Sequence, residues 1–232
     1  MTSSRKPRRS DRRRPKLETR QALLEVGRQL LMERGYPQAI PIRLAEVVER
    51  AGHTTGAAYQ IWENQQEFQE DLALYVAQTF TWATPDASLR AGDLPPVGQL
   101  SFEEAVSAAG QRYFEAFVAR EDFYIAVALW SVRNRSQKLN TAIADGYDVV
   151  HDALVELLEA FLAVHGRHIR DPYTIDDLAV AMTGITEGLA LRHRIQPGRI
   201  RTHIRHDSEP WHLYSTILLA LLRHYTTAGG EP

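Results

Sequence analysis

The sequence predicts an all-α protein of about nine helices. Apolar residues recur at three- and four-residue spacing from Leu17 onward, which is typical of amphipathic helices. Helix-start residues such as Ser, Thr and Asn precede several of these runs. No hairpin signal, internal repeat or sustained heptad accompanies them. A helical fold is therefore expected for nearly the whole chain after its first residues.

Four helices are predicted in the N-terminal part. The first begins near Leu17 and ends at Gly35, because glycine readily takes the left-handed conformation that stops a helix. The second starts at Pro41, a residue suited to a first helical turn, and ends at Gly52. Thr54 is a good N-cap for a short third helix. A fourth helix follows it closely.

Capping residues precede both the fourth predicted helix and the fifth. Asn64 and Glu67 form a start that resembles a capping box. Residues 84–99 are rich in Pro and Gly and predict a long loop. Ser101 and Glu104 then form a capping box that opens the next helix.

The remaining predicted helices complete the chain. Asp122 caps a short apolar helix, and a long helix runs over about 137–164. Thr174 and Asp177 open another, which ends near Ile195. The last helix covers about 209–226.

Composition excludes several classes of protein. The chain has no cysteine, which removes disulfide scaffolds, thiolate nucleophiles and thiolate metal sites. Its apolar stretch at 214–222 is far shorter than the ~20 residues of a bilayer span, and no apolar stretch directly follows the basic N-terminus. We therefore expect a cytoplasmic protein with no membrane partner. No phosphate loop, dinucleotide fingerprint or hydrolase motif is present, so no enzyme activity, cofactor or metal is expected.

Charge is divided very unevenly along the chain. Residues 1–20 contain nine Lys or Arg and two acidic residues, whereas the other 212 residues contain 18 Lys or Arg and 27 acidic residues. Such asymmetry indicates a basic arm for a polyanion. Residues 1–15 have almost no apolar side chain and are predicted to be disordered. A solubilising tail remains an alternative.

The segment after the arm predicts a helix-turn-helix. A tight turn at Gly52 places the short third helix across its predecessor, where it could enter the major groove of DNA. Gly56 would allow close backbone approach, Gln60 could contact a base edge, and Tyr59 suits a phosphate. A small helical subdomain with a polar surface is the alternative. The predicted DNA contacts are Arg12, Arg13, Arg14, Arg43, Thr54, Thr55, Gly56, Ala57, Tyr59 and Gln60.

Two segments resemble the DNA-binding domain of the tetracycline-repressor-like (TetR) regulators. VGRQLLMERGY (26–36) is similar to the end of that family's first helix, and LAEVVERAGHTTGAAYQIWENQQEF (44–68) to its helix-turn-helix. The resemblance covers about 50 residues. It implies a ligand-responsive regulator, most simply a repressor, that binds a palindromic operator as a homodimer and is released by a small molecule. The expected domains are a basic arm at 1–15, a DNA-binding domain at 16–63 and a ligand-sensing and dimerisation domain at 64–232.

Three positions depart from the family pattern. Ala39 and Ile40 stand where the family has a Thr-Ser or Thr-Thr pair that caps the second helix and contacts phosphate. Gln65 stands where the family has a phosphate-binding lysine. Phosphate contacts supply most of the sequence-independent affinity for DNA. The alternative function is therefore an all-α small-molecule-binding or enzymatic bundle with weak or lost DNA binding.

The resemblance places a ligand site and a dimer interface in residues 64–232. Bulky and polar side chains on the central helices suit a partly apolar effector, including an aromatic one. Small and apolar residues on the last two helices suit a subunit contact. The ligand candidates are Tyr113, Phe117, Trp130, Asn134, Tyr147, His151 and Glu187. The dimer candidates are Ala181, Gly184, Gly188, Trp211, Tyr214, Leu218, Leu221, Leu222 and Tyr225.

Overall fold

The computed structural model describes most of the chain. It covers residues 9–34, 42–79, 99–130, 136–204 and 210–229, with side chains described at all of these positions except 9–15, 129, 202–204 and 210. The helices are α1 (Arg9–Arg34), α2 (Leu44–Arg50), α3 (Thr55–Tyr59), α4 (Gln65–Thr79), α5 (Phe102–Val118), α6 (Glu121–Trp130), α7 (Gln137–Val164), α8 (Ile175–Ile195) and α9 (Leu213–Tyr225).

The predicted all-α class is confirmed, with nine α-helices in the described ranges. Two antiparallel strand pairs accompany them: β1 (Arg167–Ile169) with β4 (Thr226–Ala228), and β2 (Thr202–Ile204) with β3 (Pro210–His212). The sequence predicted neither pair, because three-residue strands are too short to show an alternating pattern. Because β3 occupies residues 210–212, the last helix begins at Leu213 and not near residue 209 as predicted.

Some predicted helix starts are confirmed and others differ. The second helix begins at Leu44 and not at Pro41, and α6 begins at Glu121, so Asp122 lies in its first turn and is not its cap. Ser101 with Glu104, and Thr174 with Asp177, form complete capping boxes. The start of α1 differs, since the helix begins at Arg9 and not near Leu17. Residues 9–15 of the predicted disordered arm are thus helical. Arginine has a high helix propensity, and extending an existing helix costs much less than starting one.

The chain divides into two compact units. Unit 1 comprises Met1–Phe80 and Glu121–Ala144, and unit 2 comprises Thr81–Arg120 and Asp145–Pro232. In unit 1, α1 packs against α2, α4 and α6. Completely buried side chains from four of its helices form the core; they are Leu23, Leu24, Val47, Ala58 and Phe68.

Unit 2 is organised around the contact of α9 with α5 and α8. The rings of Phe114 and Tyr214 stack with centroids 4.9 Å apart. A Cβ at Gly110 would lie 3.0 Å from the Ser215 hydroxyl oxygen, so the absence of a side chain there permits close approach of the two helices. Among the described helices, none combines the length and apolar character needed to cross a membrane.

Candidate nucleic-acid interface and ligand site

The turn between α2 and α3 fixes the predicted reading helix on unit 1. Gly52 has φ +67°, a left-handed conformation that favours glycine. The Thr54 side chain accepts a hydrogen bond from Ala57 N at 3.3 Å, which confirms the predicted N-cap. Ala58 is completely buried and anchors α3 to the core, whereas Tyr59 is 58% exposed. The short helix therefore presents a polar face to solvent.

Most of the predicted DNA contacts with described side chains share this exposure. Arg43, Thr54, Thr55, Gly56, Tyr59 and Gln60 are exposed, and Ala57 is half-buried. For Arg12, Arg13 and Arg14 the structure describes the α1 backbone alone. These positions stay predictions as DNA contacts.

A polar cluster of Arg20, Trp62 and Asp71 joins three parts of unit 1. The Asp71 carboxylate accepts a hydrogen bond from Arg20 Nε at 2.7 Å and from the Trp62 indole nitrogen at 2.8 Å. Trp62 is buried, and its ring packs edge-on against Phe68 with centroids 5.1 Å apart. The segment that follows α3 is thus tied to both α1 and α4.

Gln65 has a structural role that the sequence did not reveal. Its Oε1 accepts a hydrogen bond from Leu44 N at 2.8 Å, and its Nε2 donates to Ile42 O at 2.8 Å. The N-cap residue of α2, Arg43, makes no side-chain capping bond. Gln65 therefore satisfies the first turn of α2 from the neighbouring helix α4. The Gln65 amide is thus the cap of α2, although Gln65 lies on a different helix, α4.

We predict that Gln65→Ala lowers the free energy of unfolding by about 1–2 kcal/mol, since it leaves a part-buried N–H and C=O without partners. Urea unfolding followed by circular dichroism measures the change. Gln66→Ala is the matched control, because Gln66 is exposed and bonds only to Glu70 one turn away. Equal stability of the two variants would contradict the capping role.

The described helix-turn-helix carries little positive charge of its own. Residues 43–68 contain two Arg and four Glu. Arg50 is paired with Glu33 of α1, whereas Arg43 forms no ion pair with any described residue. Arg43 is thus a cation available to a phosphate, and most further positive charge must come from the N-terminal residues.

The predicted ligand residues are distributed over both units. Trp130 lies in unit 1, where it is buried, and Asn134 lies outside the described residues. The other five belong to unit 2; they are Tyr113, Phe117, Tyr147, His151 and Glu187. The Tyr147 hydroxyl donates to Glu187 Oε1 at 2.9 Å. His151 Nε2 lies 2.8 Å from Asp176 Oδ1, so it is already engaged by a carboxylate.

The predicted dimer residues separate into two groups. Trp211, Tyr214, Leu218 and Leu222 are buried within the chain itself. The apolar surface of the last helix, which the sequence predicted to form part of a subunit contact, is therefore largely covered inside unit 2. Ala181, Leu221 and Tyr225 are half-buried, and Gly184 and Gly188 are exposed.

Comparison with solved structures shows which fold this is. NemR of E. coli in its reduced form is 19% identical over 77% of this chain and 89% of its own, with a TM-score of 0.52. A putative transcriptional regulator from Rhodococcus sp. RHA1 is 12% identical over 88% of this chain and 94% of its own, with a TM-score of 0.58. The chain has the fold of the TetR-family transcriptional regulators. No protein-family model and no curated protein sequence matches it significantly.

In this TetR fold, α2 and α3 form the helix-turn-helix that the sequence resemblance identified. Two of the three departures from the family pattern, Ala39 and Ile40, lie outside the described residues. The third, Gln65, holds α2 in place by its two hydrogen bonds. The α2–α3 pair is thus built without a capping side chain at Arg43.

Proposed function

We propose that the protein is a homodimeric, ligand-responsive transcription repressor of the TetR type, which binds a palindromic operator and is released by a small molecule. The observation that carries the proposal is the exposed polar face of α3, held by the buried Ala58 and bounded by Tyr59 and Gln60. A short exposed helix that follows its predecessor after a tight turn suits insertion into the major groove.

Gly56 supports this proposal because nothing in the described chain requires a glycine there. Its φ is not in the left-handed region, and no atom lies within 4 Å of the position that a Cβ would take. Glycine in a helix costs about 1 kcal/mol relative to alanine. An exposed glycine with no internal role is typical of a place where another molecule approaches the backbone closely.

We expect Gly56→Ala to weaken operator binding about tenfold while leaving the melting temperature unchanged or raised. The added methyl group would hold the duplex away from the α3 backbone, although it fits the helix. Fluorescence anisotropy of labelled DNA and thermal melting measure the two effects. The control is Gly198→Ala, which also faces open space. Unchanged DNA affinity would remove Gly56 from the interface.

The face of α8 supports association with a second copy of the chain. Val180 and Ile195 are 63% and 72% exposed, and Gly184 and Gly188 lie between them on the same side of the helix. No described atom lies within 4 Å of a Cβ placed at either glycine. Small and apolar residues in an uncovered stripe favour close packing against a symmetric copy. A palindromic DNA site requires the same twofold symmetry.

The proposed release mechanism is a shift between two conformations of the dimer. A ligand that binds better to the conformation with wrongly spaced reading helices lowers the affinity for one face of the duplex. The size of the effect is limited by the difference in ligand affinity between the two conformations.

An electrophoretic shift with the DNA upstream of the chain's own gene tests the proposal. We expect a discrete complex that survives excess unrelated duplex, and a footprint with twofold symmetry. If an excess of unrelated duplex abolishes the complex, the result favours the second candidate. This candidate is a helical small-molecule-binding protein without operator recognition. The excess of Glu over Arg in residues 43–68 is the observation that favours this candidate.

A further inference from the structure

In unit 2, a hydrogen bond joins Tyr147 of α7 to Glu187 of α8, and Tyr113 of α5 lies within reach of the Glu187 charge. These residues, Tyr113, Tyr147 and Glu187, are called the phenol–carboxylate cluster below. Tyr147 donates its hydroxyl hydrogen to Glu187 Oε1 at 2.9 Å. Burial raises the pKa of both phenols, and for Tyr147 the Glu187 charge is the next cause. For Tyr113 the neighbouring Tyr214 and the Arg120 cation, which lowers the pKa, both act more strongly than the Glu187 charge. The three groups therefore share one electrostatic environment.

Among the described residues, Glu187 has no cationic partner of the kind that a half-buried carboxylate usually has. Of the residues that the structure describes, Tyr147 alone bonds to it, and no Lys, Arg or His pairs with it. Burial raises the pKa of Glu187, and the hydrogen bond from Tyr147 opposes this only in part. Desolvating an unpaired carboxylate is costly. A role of Glu187 in binding a ligand would account for the free-energy cost of burying its carboxylate.

The chain pairs another part-buried carboxylate in the usual way. Glu25 accepts two hydrogen bonds from Arg28, at 2.9 and 2.8 Å, together with one from Tyr75. This environment, with the Arg28 bonds as the largest cause, lowers the pKa of Glu25 to about 2. Glu187 has a phenol in the place of Tyr75 but no described counterpart of Arg28. Compared with Glu25, Glu187 therefore has no guanidinium or ammonium group beside it among the described residues.

The surroundings of Tyr113 are aromatic and suit the apolar part of a ligand. The Tyr113 ring lies 5.9 Å from Phe117 and 6.4 Å from Tyr214, measured between centroids. The Tyr113 hydroxyl has no hydrogen-bond partner among the described residues. Aromatic faces attract cations as well as other rings, so the cluster offers both contacts to one molecule.

We propose that the phenol–carboxylate cluster binds the protonated nitrogen of an aromatic or apolar amine, with Glu187 as the counter-ion and Tyr113 and Tyr147 beside it. This inference rests on the proposed function, since such an amine would be the effector. Binding would supply Glu187 with a positively charged partner that none of the described residues provides. A neutral or anionic compound of the same shape would leave the carboxylate unpaired or repelled.

Isothermal titration calorimetry of the full chain with three matched probes tests the charge preference. The probes are 1-naphthylmethylamine, 1-naphthalenemethanol and 1-naphthoate, which differ chiefly in charge. We expect the amine to bind at least tenfold more tightly than the alcohol, because a hydrogen bond to a charged group contributes more than a neutral one. The naphthoate should bind most weakly. Absence of this order, or absence of binding by all three probes, would overturn the inference.

Two variants locate the preference. Glu187→Gln keeps the shape and can still accept from Tyr147, and we expect it to abolish the preference for the amine while retaining the alcohol affinity. Glu159→Gln on the exposed side of α7 is the matched control and should behave as wild type. A preference that survives Glu187→Gln would place the amine elsewhere and refute the assignment.

A DNA-binding measurement without any probe separates this inference from the proposed function. If wild-type chain binds its upstream DNA but shows no charge preference, the inference fails alone. If the charge preference holds and the chain does not bind DNA, the repressor function fails and the amine site stands.

Discussion

Replacing Gly188 with tryptophan is expected to convert the proposed dimer to a monomer and to abolish the proposed operator binding. Gly188 is exposed, and no described atom lies within 4 Å of a Cβ placed there, so the chain itself leaves room for the start of a side chain. At a subunit contact the tryptophan ring would overpack at an expected cost of about 1–3 kcal/mol, and twofold symmetry repeats the cost on the other side. Since 1.4 kcal/mol is tenfold in an equilibrium constant, the dimer dissociation constant should rise at least tenfold.

Sedimentation velocity at micromolar concentration measures this change, with DNA anisotropy recorded on the same samples. Ala160→Trp is the control, because Ala160 is an exposed position on a different helix, α7. The isolated Gly188 variant should keep its helical circular dichroism. A variant that remains dimeric would show that this face of α8 is not the subunit contact.

Deleting residues 1–14 is expected to weaken DNA binding strongly and to flatten its dependence on salt. The deletion removes seven of the nine basic residues that precede position 21. Each phosphate neutralised by a protein cation contributes about −0.9 to the slope of log K against log salt. The described helix-turn-helix contains more Glu than Arg, so it cannot compensate for the loss.

A triple variant separates lost charge from lost length. Replacing Arg12, Arg13 and Arg14 by glutamine keeps the α1 helix intact in length and should reduce the slope by up to about 2.7, if each residue contacts one phosphate. Anisotropy titrations at several salt concentrations give the slope. An unchanged slope in both variants would identify residues 1–14 as a solubilising tail.

Local signals predicted the helices well. The Thr54 N-cap, the Ser101 and Thr174 capping boxes and the turn at Gly52 each depend on residues within four positions of one another. The sequence did not predict that α1 extends to Arg9. A segment with many charged and few apolar residues has the composition of a disordered one.

Contacts between residues far apart in sequence were not predictable in the same way. Gln65 was interpreted as a lost phosphate contact, yet it caps α2 across separations of 21 and 23 residues. The amide group gives no sign in the sequence of which backbone atoms it will meet. The sequence shows that Gln65 stands at the position of the family's lysine. Its hydrogen bonds to α2 follow only from the packing of α4 beside α2, which the sequence does not show.

The interface residues were also only partly predictable. An apolar helix face has the same sequence pattern whether it packs against its own chain or against a partner. Tyr214 and Leu218 are buried within unit 2, so this part of α9 packs against its own chain. The glycine spacing on α8 was visible in the sequence. Only the structure shows that Gly184 and Gly188 remain uncovered.

The stoichiometry and symmetry of the complex with DNA test the central proposal most directly. Sedimentation of the full chain with a labelled duplex from its own upstream region gives the number of chains bound, and hydroxyl-radical footprinting of the same complex gives the contacted positions. We predict two chains on each duplex and two protected half-sites related by a twofold axis, about one helical turn or a multiple apart. A single bound chain, or uniform protection along the duplex, would contradict the proposal.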